Sequence, residues 1–422
     1  MKIAIVGTGI SGLVAARRLY SRHQITVFEA AGRLGGHTAT IPVELDNIRY
    51  QVDTGFIVYN DWTYPNFIAL MDELGVSWRE SDMSFGVSCD STGLAYAGVT
   101  GKFAMYNSLF AQRRNLFSPS HIRMLLDILA FNRRVNSDYD ADAIPDMTLR
   151  EYVSHLGLSQ RFMDYYLVPM CSAIWSTPFQ QMYEFPMRFM LPFMVKHGLV
   201  NVHNRPRWRT LKGGSQAYLE PITRPFRDAI RLSCPVTGVR RLEQGVEVTS
   251  KAGTEHFDQI ILACHSDQAL ALLQDATACE REVLSAIRYQ PNDVVLHTDV
   301  SVMPDNRRAW ASWNYHMTDD RDGLPRLTYD MNRLMGITGP HRFFVSLNHS
   351  DRINPASILG RYDYAHPIFT RDGAKAQQRW TDVNGVQSTW FCGAWWGKGF
   401  HEDGVNSALR VVDAIAASTT NA

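Results

Sequence analysis

The chain has 422 residues, 45% hydrophobic and 20% charged, the balance of a folded protein with two or three packed regions. Its 42 basic and 42 acidic side chains cancel, which argues against nucleic acid as a partner. The six cysteines are scattered with no Cys-x-x-Cys pair, so neither a metal site nor a redox dithiol is expected, and reduced thiols in a cytoplasmic setting are.

Ile3, Ala4, Ile5 and Val6 form a short apolar run, as a strand buried on both faces of a parallel sheet does. That makes the first residues part of the fold rather than a leader. Gly7, Gly9 and Gly12 follow at G-x-G-x-x-G spacing, and Leu13, Val14, Ala15, Ala16 and Leu19 then carry a helical pattern. A second strand, 24–28, ends at Glu29. Each part has a reason. Gly7 allows a tight turn, Gly9 lets the backbone approach a pyrophosphate, and Gly12 lets the helix pack on the strand. The helix N-terminus, with Ser11, offers N–H groups to phosphate. Glu29 is placed to accept from ribose hydroxyls, which favours NAD or FAD over NADP. A second glycine pair, Gly35 and Gly36, lies between Ala30 and His37 and suits the longer flavin dinucleotide; Arg33 is expected to reach the pyrophosphate. Thr54 and Gly55, in VDTGF, give another close backbone approach.

Residues 62–74 predict a helix with Pro65 near its start and Gly75 as its C-cap. Residues 83–99 alternate around Asp90–Gly93, a hairpin signal. Residues 118–190 read as mostly helical, opening at Ser118-Pro119. The stretch 185–200 is rich in Met and Phe, and its two prolines speak against one long helix. It reads either as core or as a lipophilic entrance resting on a membrane surface. No apolar run reaches about 18 residues, so no membrane span is expected. Residues 236–250 predict a hairpin and 258–264 a buried strand. Strands at 294–298, 326–329 and 343–347 would floor a substrate cavity, with Trp310, Trp313, Tyr315, Tyr329 and Phe344 as lining candidates. His366 reads as a turn residue. Residues 389–408 end a strand at Gly393 and open a last helix at Asp403-Gly404-Val405.

On Gly7–Gly12, Glu29, Arg33–Gly36 and this C-terminal stretch, the chain resembles the flavin amine oxidase superfamily of amine oxidases, phytoene desaturases and protoporphyrinogen oxidases. GFIVYNDWTYPNF, AIWSTP, HPIF and GFHEDG resemble a bacterial branch of FAD-dependent proteins within it. The resemblance implies an α/β fold: a Rossmann-like FAD-binding domain (1–85, 205–288 and 386–422) with an inserted α+β substrate domain (86–204 and 289–385). It implies FAD as cofactor, with Gly213-Gly214 opening a helix beside it, Val236 against the adenine, Gly393 near the ribityl chain, and Asp403, Gly404 and Val405 at the flavin. The Ser-Gly-Gly-Cys pattern of covalent flavin attachment is missing and Cys392 reads as a buried strand cysteine, so FAD is expected to be non-covalent. His401, Glu402 and Lys398 are the catalytic candidates: His401 as a proton relay near neutral pH, Lys398 as a water-mediated neighbour of the flavin. The expected chemistry is hydride removal from a C–C or C–N bond of a lipophilic small molecule, as in a desaturase or oxidase, with a peripheral membrane contact. Alternatives are an amine oxidase acting on primary or polyamines, a flavin-dependent isomerase, and a flavin-stabilised scaffold.

Overall fold

The computed structural model describes residues 1–99 and 102–420. A five-stranded parallel sheet runs in the order Ile230–Arg231, Gln24–Phe28, Lys2–Val6, Gln259–Leu262, Thr389–Phe391. Its central strands are apolar on both faces because helices cover both. The helices Ile10–Leu19 and His401–Thr420 pack together on one face. The other face holds Phe28, Val236, Phe257 and Phe391 beneath the three-stranded sheet Val236–Arg241, Val246–Ser250, Gly253–Phe257.

A second sheet has seven strands, in the order Ile358–Ile368, Arg288–His297, Phe344–Leu347, Arg326–Asp330, Trp313–Met317, Phe85–Cys89, Leu94–Gly98. It is antiparallel except where Trp313–Met317 meets Phe85–Cys89. Helices from 119 to 196 cover one face of it and form the largest core. This is the α/β two-part architecture expected.

The local signals at element ends hold. Pro65–Leu74 closes on Gly75 at φ 68°, and Ser118 caps Pro119–Asp140. Thr148 and Glu151 form a capping box on Leu149–His155. Three expectations need correction. The stretch 185–200 does contain a helix, Met187–Lys196, with Pro192 inside it. Pro192 removes only the bond to the carbonyl of Arg188, on the exposed side of the helix. Met187, Met190, Leu191, Phe193 and Met194 are buried, so this stretch is an inner wall and not a membrane surface. Phe344 and Trp310 do not line the cavity side: with Val295, Val302 and Met303 they form a small core separate from the one that holds Trp313, Tyr315 and Tyr329. One residue along a strand changes the face, and Val345 and Leu347 take the other.

Two buried charges fasten segments beside the parallel sheet. Arg241 donates to Glu280 (2.5 and 3.1 Å) and Asp275 (2.7 Å), with the Arg241 and Glu280 side chains each 1% exposed. Asp53 accepts from the Ser215 N–H (2.9 Å) and hydroxyl (2.9 Å) and from Thr40 (2.5 Å), tying the Gly213-Gly214 turn to the strand Ile48–Asp53.

Two outcomes are expected. Arg241→Ala leaves Glu280 buried without its cation and costs about 3–5 kcal/mol, read as a lowered denaturant midpoint. Burial is the dominant influence on Asp53 and pushes its carboxyl up to about 6, against the Thr40 and Ser215 hydrogen bonds. A carboxyl raised on folding holds its proton longer when folded, so its contribution favours folding at low pH and is lost as pH rises from about 4 to about 6. The stability of wild type relative to Asp53→Asn should therefore fall across that window in urea melts, and a flat difference would refute the raised pKa.

Candidate active site

Three loops meet at the carboxyl edge of the parallel sheet. A Cβ on Gly7 would lie 2.8 Å from the Ala263 carbonyl oxygen, and one on Gly12 would lie 2.0 Å from that of Gly7. Both glycines are demanded by packing. Gly9 is different. Its backbone is ordinary (φ −63°, ψ 173°) and a Cβ there would meet nothing within 4 Å. The space it faces is a cradle. The helix Ile10–Leu19 begins there with no side-chain cap and no acid in its first turn, so its N–H groups stay open to an anion. Ser11 is buried beside it.

Glu29 ends the second strand. Its Oε2 accepts from the Thr8 N–H (3.0 Å) and hydroxyl (2.5 Å), its Oε1 from the Ala31 N–H (2.8 Å). Oε1 keeps a lone pair for a ribose hydroxyl. The strand from Val236 follows Cys234, whose N–H bonds the Glu29 carbonyl (2.9 Å), which brings Val236 to this end of the cradle. Ala30 is exposed there. Gly35 (φ 106°) bonds Thr8 through its N–H (3.1 Å) and Gly36 (φ 55°) lies against Gly9, so the two glycine loops sit back to back. Arg33 was expected at the pyrophosphate. Its guanidinium instead donates to the carbonyls of Leu34, Gly36 and Thr38 (2.9–3.3 Å) and braces the loop. Gly213 faces open space, while Gly214 is pressed against Thr40 and Asp53; a short 3₁₀ turn, Ser215–Tyr218, follows before the helix Leu219–Thr223.

Thr54 and Gly55 join the second glycine loop to the larger sheet. A Cβ on Gly55 would lie 2.1 Å from the His37 carbonyl oxygen, and the Thr54 hydroxyl meets the Tyr364 hydroxyl at 2.9 Å. His37 is enclosed by the rings of Tyr364, His265 and His366 at 5.1–5.8 Å, and its Nε2 is buried with no partner. Burial is the main reason its pKa falls to about 3.

At the C-terminal motif the Gly393 N–H donates to Ser407 (3.0 Å). The last helix starts at His401, two residues before the expected Asp403. Gly404 lets it abut the first helix: a Cβ would lie 2.7 Å from Ile10 and 3.0 Å from Ser11. Val405 is buried in the core between the two helices. Glu402, a catalytic candidate, is a cap. Its oxygens accept from the Asn66 N–H (3.1 Å) and side-chain amide (3.1 Å) and the Phe67 N–H (2.8 Å), at the start of the helix Pro65–Leu74. Asp403 accepts from the N–H groups of Lys398 (3.0 Å) and Phe400 (2.9 Å), and burial pushes its carboxyl up to about 6.

His401 stacks on Phe56 at 3.6 Å, and its Nε2 meets Thr38 (3.1 Å) and Tyr218 (3.4 Å). Burial drops its pKa to about 3, so it stays neutral and does not titrate near pH 7 as expected. Lys398 holds its ammonium over Phe189 (5.4 Å) and Phe193 (5.3 Å), and burial lowers its pKa to about 8.

Several site residues escaped the sequence reading: Thr38, Phe56, Tyr218, His265, Tyr289, Asn292 and Tyr364. His366 is in the strand Ile358–Ile368, not a turn, and its Nδ1 meets the Asn292 amide at 3.1 Å. The period-two spacing of Tyr362, Tyr364 and His366 was the available signal. Among the described residues, no group of three or more His, Cys, Asp or Glu is placed to hold a metal.

The chain matches the family model "Flavin containing amine oxidoreductase" over residues 10–330. It is 28% identical over 175 residues to protoporphyrinogen oxidase 2, chloroplastic/mitochondrial, of Arabidopsis thaliana, a match spanning 40% of this chain and 31% of that protein. Its fold is similar to cyclohexylamine oxidase from Brevibacterium oxydans IH-35A (TM-score 0.65, 16% identity, 99% of each chain). It is also similar to a putative protoporphyrinogen oxidase from Exiguobacterium sp. 255-15 (TM-score 0.67, 17% identity, 99% of each chain). A third similar structure is the CLA-producing fatty acid isomerase from P. acnes (TM-score 0.68, 16% identity, 98% of this chain and 97% of that one). The chain belongs to the flavin-containing amine oxidoreductase family.

Proposed function

We propose that the protein is an FAD-dependent oxidoreductase that removes hydride from a C–C or C–N bond of a lipophilic small molecule, holding FAD non-covalently. FAD, when bound, supplies the hydride acceptor. The residues fit the dinucleotide: Gly9 leaves the cradle open, the first helix presents free N–H groups, and Glu29 keeps acceptor capacity for a ribose. Cys392 is fully buried and burial pushes its thiol up, which supports a flavin without a covalent link.

One observation carries the lipophilic reading. The helix Met187–Lys196 lays Phe193 against the loop that leads into the last helix, stacked on Phe400 at 5.3 Å, and Phe189 against Phe369, just past the strand Ile358–Ile368, at 5.1 Å. A cationic amine would find these ring faces already occupied by the Lys398 ammonium. The two acids in the first turn of the last helix, Glu402 and Asp403, are committed to backbone N–H groups. An uncharged or anionic apolar chain suits the wall better. The fold's similarity to a fatty acid isomerase is compatible with that substrate class. Here the protein's work is to orient the substrate, exclude water and hold protons. Lys398, lowered to about 8, and Asp403, raised to about 6, are the groups here whose protons exchange near neutral pH.

Two measurements test this. Gly9→Leu should keep the fold, since its backbone angles suit any residue, yet fill the cradle; FAD affinity measured by flavin fluorescence should fall at least roughly tenfold. Unchanged affinity would place the cofactor elsewhere. Under anaerobic conditions the FAD-loaded protein should be bleached by unsaturated fatty acyl lipids and not by primary amines or polyamines. Bleaching by amines alone would overturn the lipophilic reading and establish an amine oxidase.

A further inference from the structure

Two stretches singled out in the sequence, AIWSTP and HPIF, meet in the fold. Ser176 of the first closes the helix Val168–Trp175 in a left-handed conformation (φ 50°), and its hydroxyl lies 3.5 Å from Nδ1 of His366 in the second. The residues around this contact belong to the aromatic wall. Trp175 packs on Phe193 at 4.9 Å, and Phe369 on Phe189 at 5.1 Å. A Cβ on Gly399, beside Lys398, would lie 3.4 Å from Pro367. The His366 ring also stands 5.8 Å from that of His37, on the glycine loop whose Gly36 lies against Gly9. His366 thus stands between the apolar wall and the dinucleotide cradle.

A relay of amides decides where His366 carries its proton. Asn348 accepts from the Asp293 N–H through Oδ1 (3.1 Å) and donates through Nδ2 to the Pro325 carbonyl (3.2 Å), so two backbone groups of fixed polarity set its orientation. Its Nδ2 also donates to Oδ1 of Asn292 (2.8 Å). That turns the Asn292 N–H groups toward the Gln290 carbonyl (3.0 Å) and His366 Nδ1 (3.1 Å). Nδ1 is therefore an acceptor, and the neutral ring carries its proton on Nε2. Burial, with His265 nearby, lowers the pKa of His366 to about 4, so the ring is neutral at pH 7. The Nε2–H has no partner among the described residues, and it is not sealed in as the unpartnered Nε2 of His37 is. A donor aligned by two amides and given no acceptor by the chain is suited to an acceptor on a bound group.

FAD laid from Glu29 across Gly9 places its ring beyond the second glycine loop, and a substrate on the Phe189–Phe193 wall meets that ring where wall and loop approach. His366 is at that junction. We propose that the Nε2–H of His366 donates to an acceptor atom of the bound flavin ring, with Asn292 and Asn348 as positioning residues behind it. Reduction adds electron density to the ring, so a donor there favours the reduced form and raises the reduction potential. The inference rests on the FAD reading above and not on the substrate class.

The test is the midpoint potential of the bound flavin at pH 7, measured by equilibrium reduction against a reference dye, with FAD retention checked by the visible spectrum. His366→Phe keeps a ring and loses the donor; its equilibrium constant for two-electron reduction should fall roughly tenfold, about 30 mV. His366→Gln, which can still donate, should recover most of that loss. His155→Gln, at the exposed end of the helix Leu149–His155, should leave the potential unchanged. By nitrogen NMR of labelled protein the His366 ring should be neutral with its proton on Nε2. FAD bound at an unshifted potential in His366→Phe, an equal loss in His366→Phe and His366→Gln, or a proton on Nδ1 overturns the proposal and leaves the FAD reading standing. Wild type that takes up no FAD overturns both.

Discussion

Two helix N-termini are pressed together at one edge of the parallel sheet, and the site follows from that contact. Gly404 exists so that His401–Thr420 can touch Ile10 and Ser11 at the start of Ile10–Leu19. Bringing two positive dipole ends together is unfavourable unless negative charge lies near them. The two helices meet this differently. The last helix carries Glu402 and Asp403 in its own first turn. The first helix carries no acid and no cap, and behind it Gly9 leaves the approach empty. One N-terminus is thus compensated by the protein itself, and the other is left open to an anion. A residue larger than glycine at 404 would part the helices and change the direction of both.

The acids of the C-terminal loop show why a motif can be found in a sequence while its chemistry is misassigned. Glu402 looks like a general base when read beside His401. In the fold it caps a helix whose first residues, Asn66 and Phe67, lie more than three hundred positions earlier. Arg33 looks like a pyrophosphate ligand beside two glycines, yet its donors are taken by three carbonyls of its own loop. The glycine motifs were legible because each acts through its own backbone and nearest turn. The parallel strands and capped helices were legible for the same reason. Side-chain roles depended on partners that spacing does not reveal; Phe344 was misplaced because a strand changes face at every residue, and Trp310 because it closes the short 3₁₀ turn Arg307–Ala309, ahead of the strand Trp313–Met317.

The enclosed ring group around His37 was hidden for that reason too. Its members come from separate segments: His37 from the second glycine loop, His265 from the loop after Gln259–Leu262, His366 and Tyr364 from the edge strand Ile358–Ile368. Burial holds His37 near 3 and His366 near 4, so they stay neutral there. Neutral imidazoles add dipoles and hydrogen-bonding capacity to this enclosed group without adding charge.

The inserted helices give that region its wall and the protein its outer face at once. Met187–Lys196 turns Phe189 and Phe193 inward toward Lys398 and Phe400. Pro119–Asp140 packs on it from outside and turns Leu126, Leu129 and Arg133 away from the core. Only one helical layer, about 10 Å thick, therefore separates the aromatic wall from the outer surface.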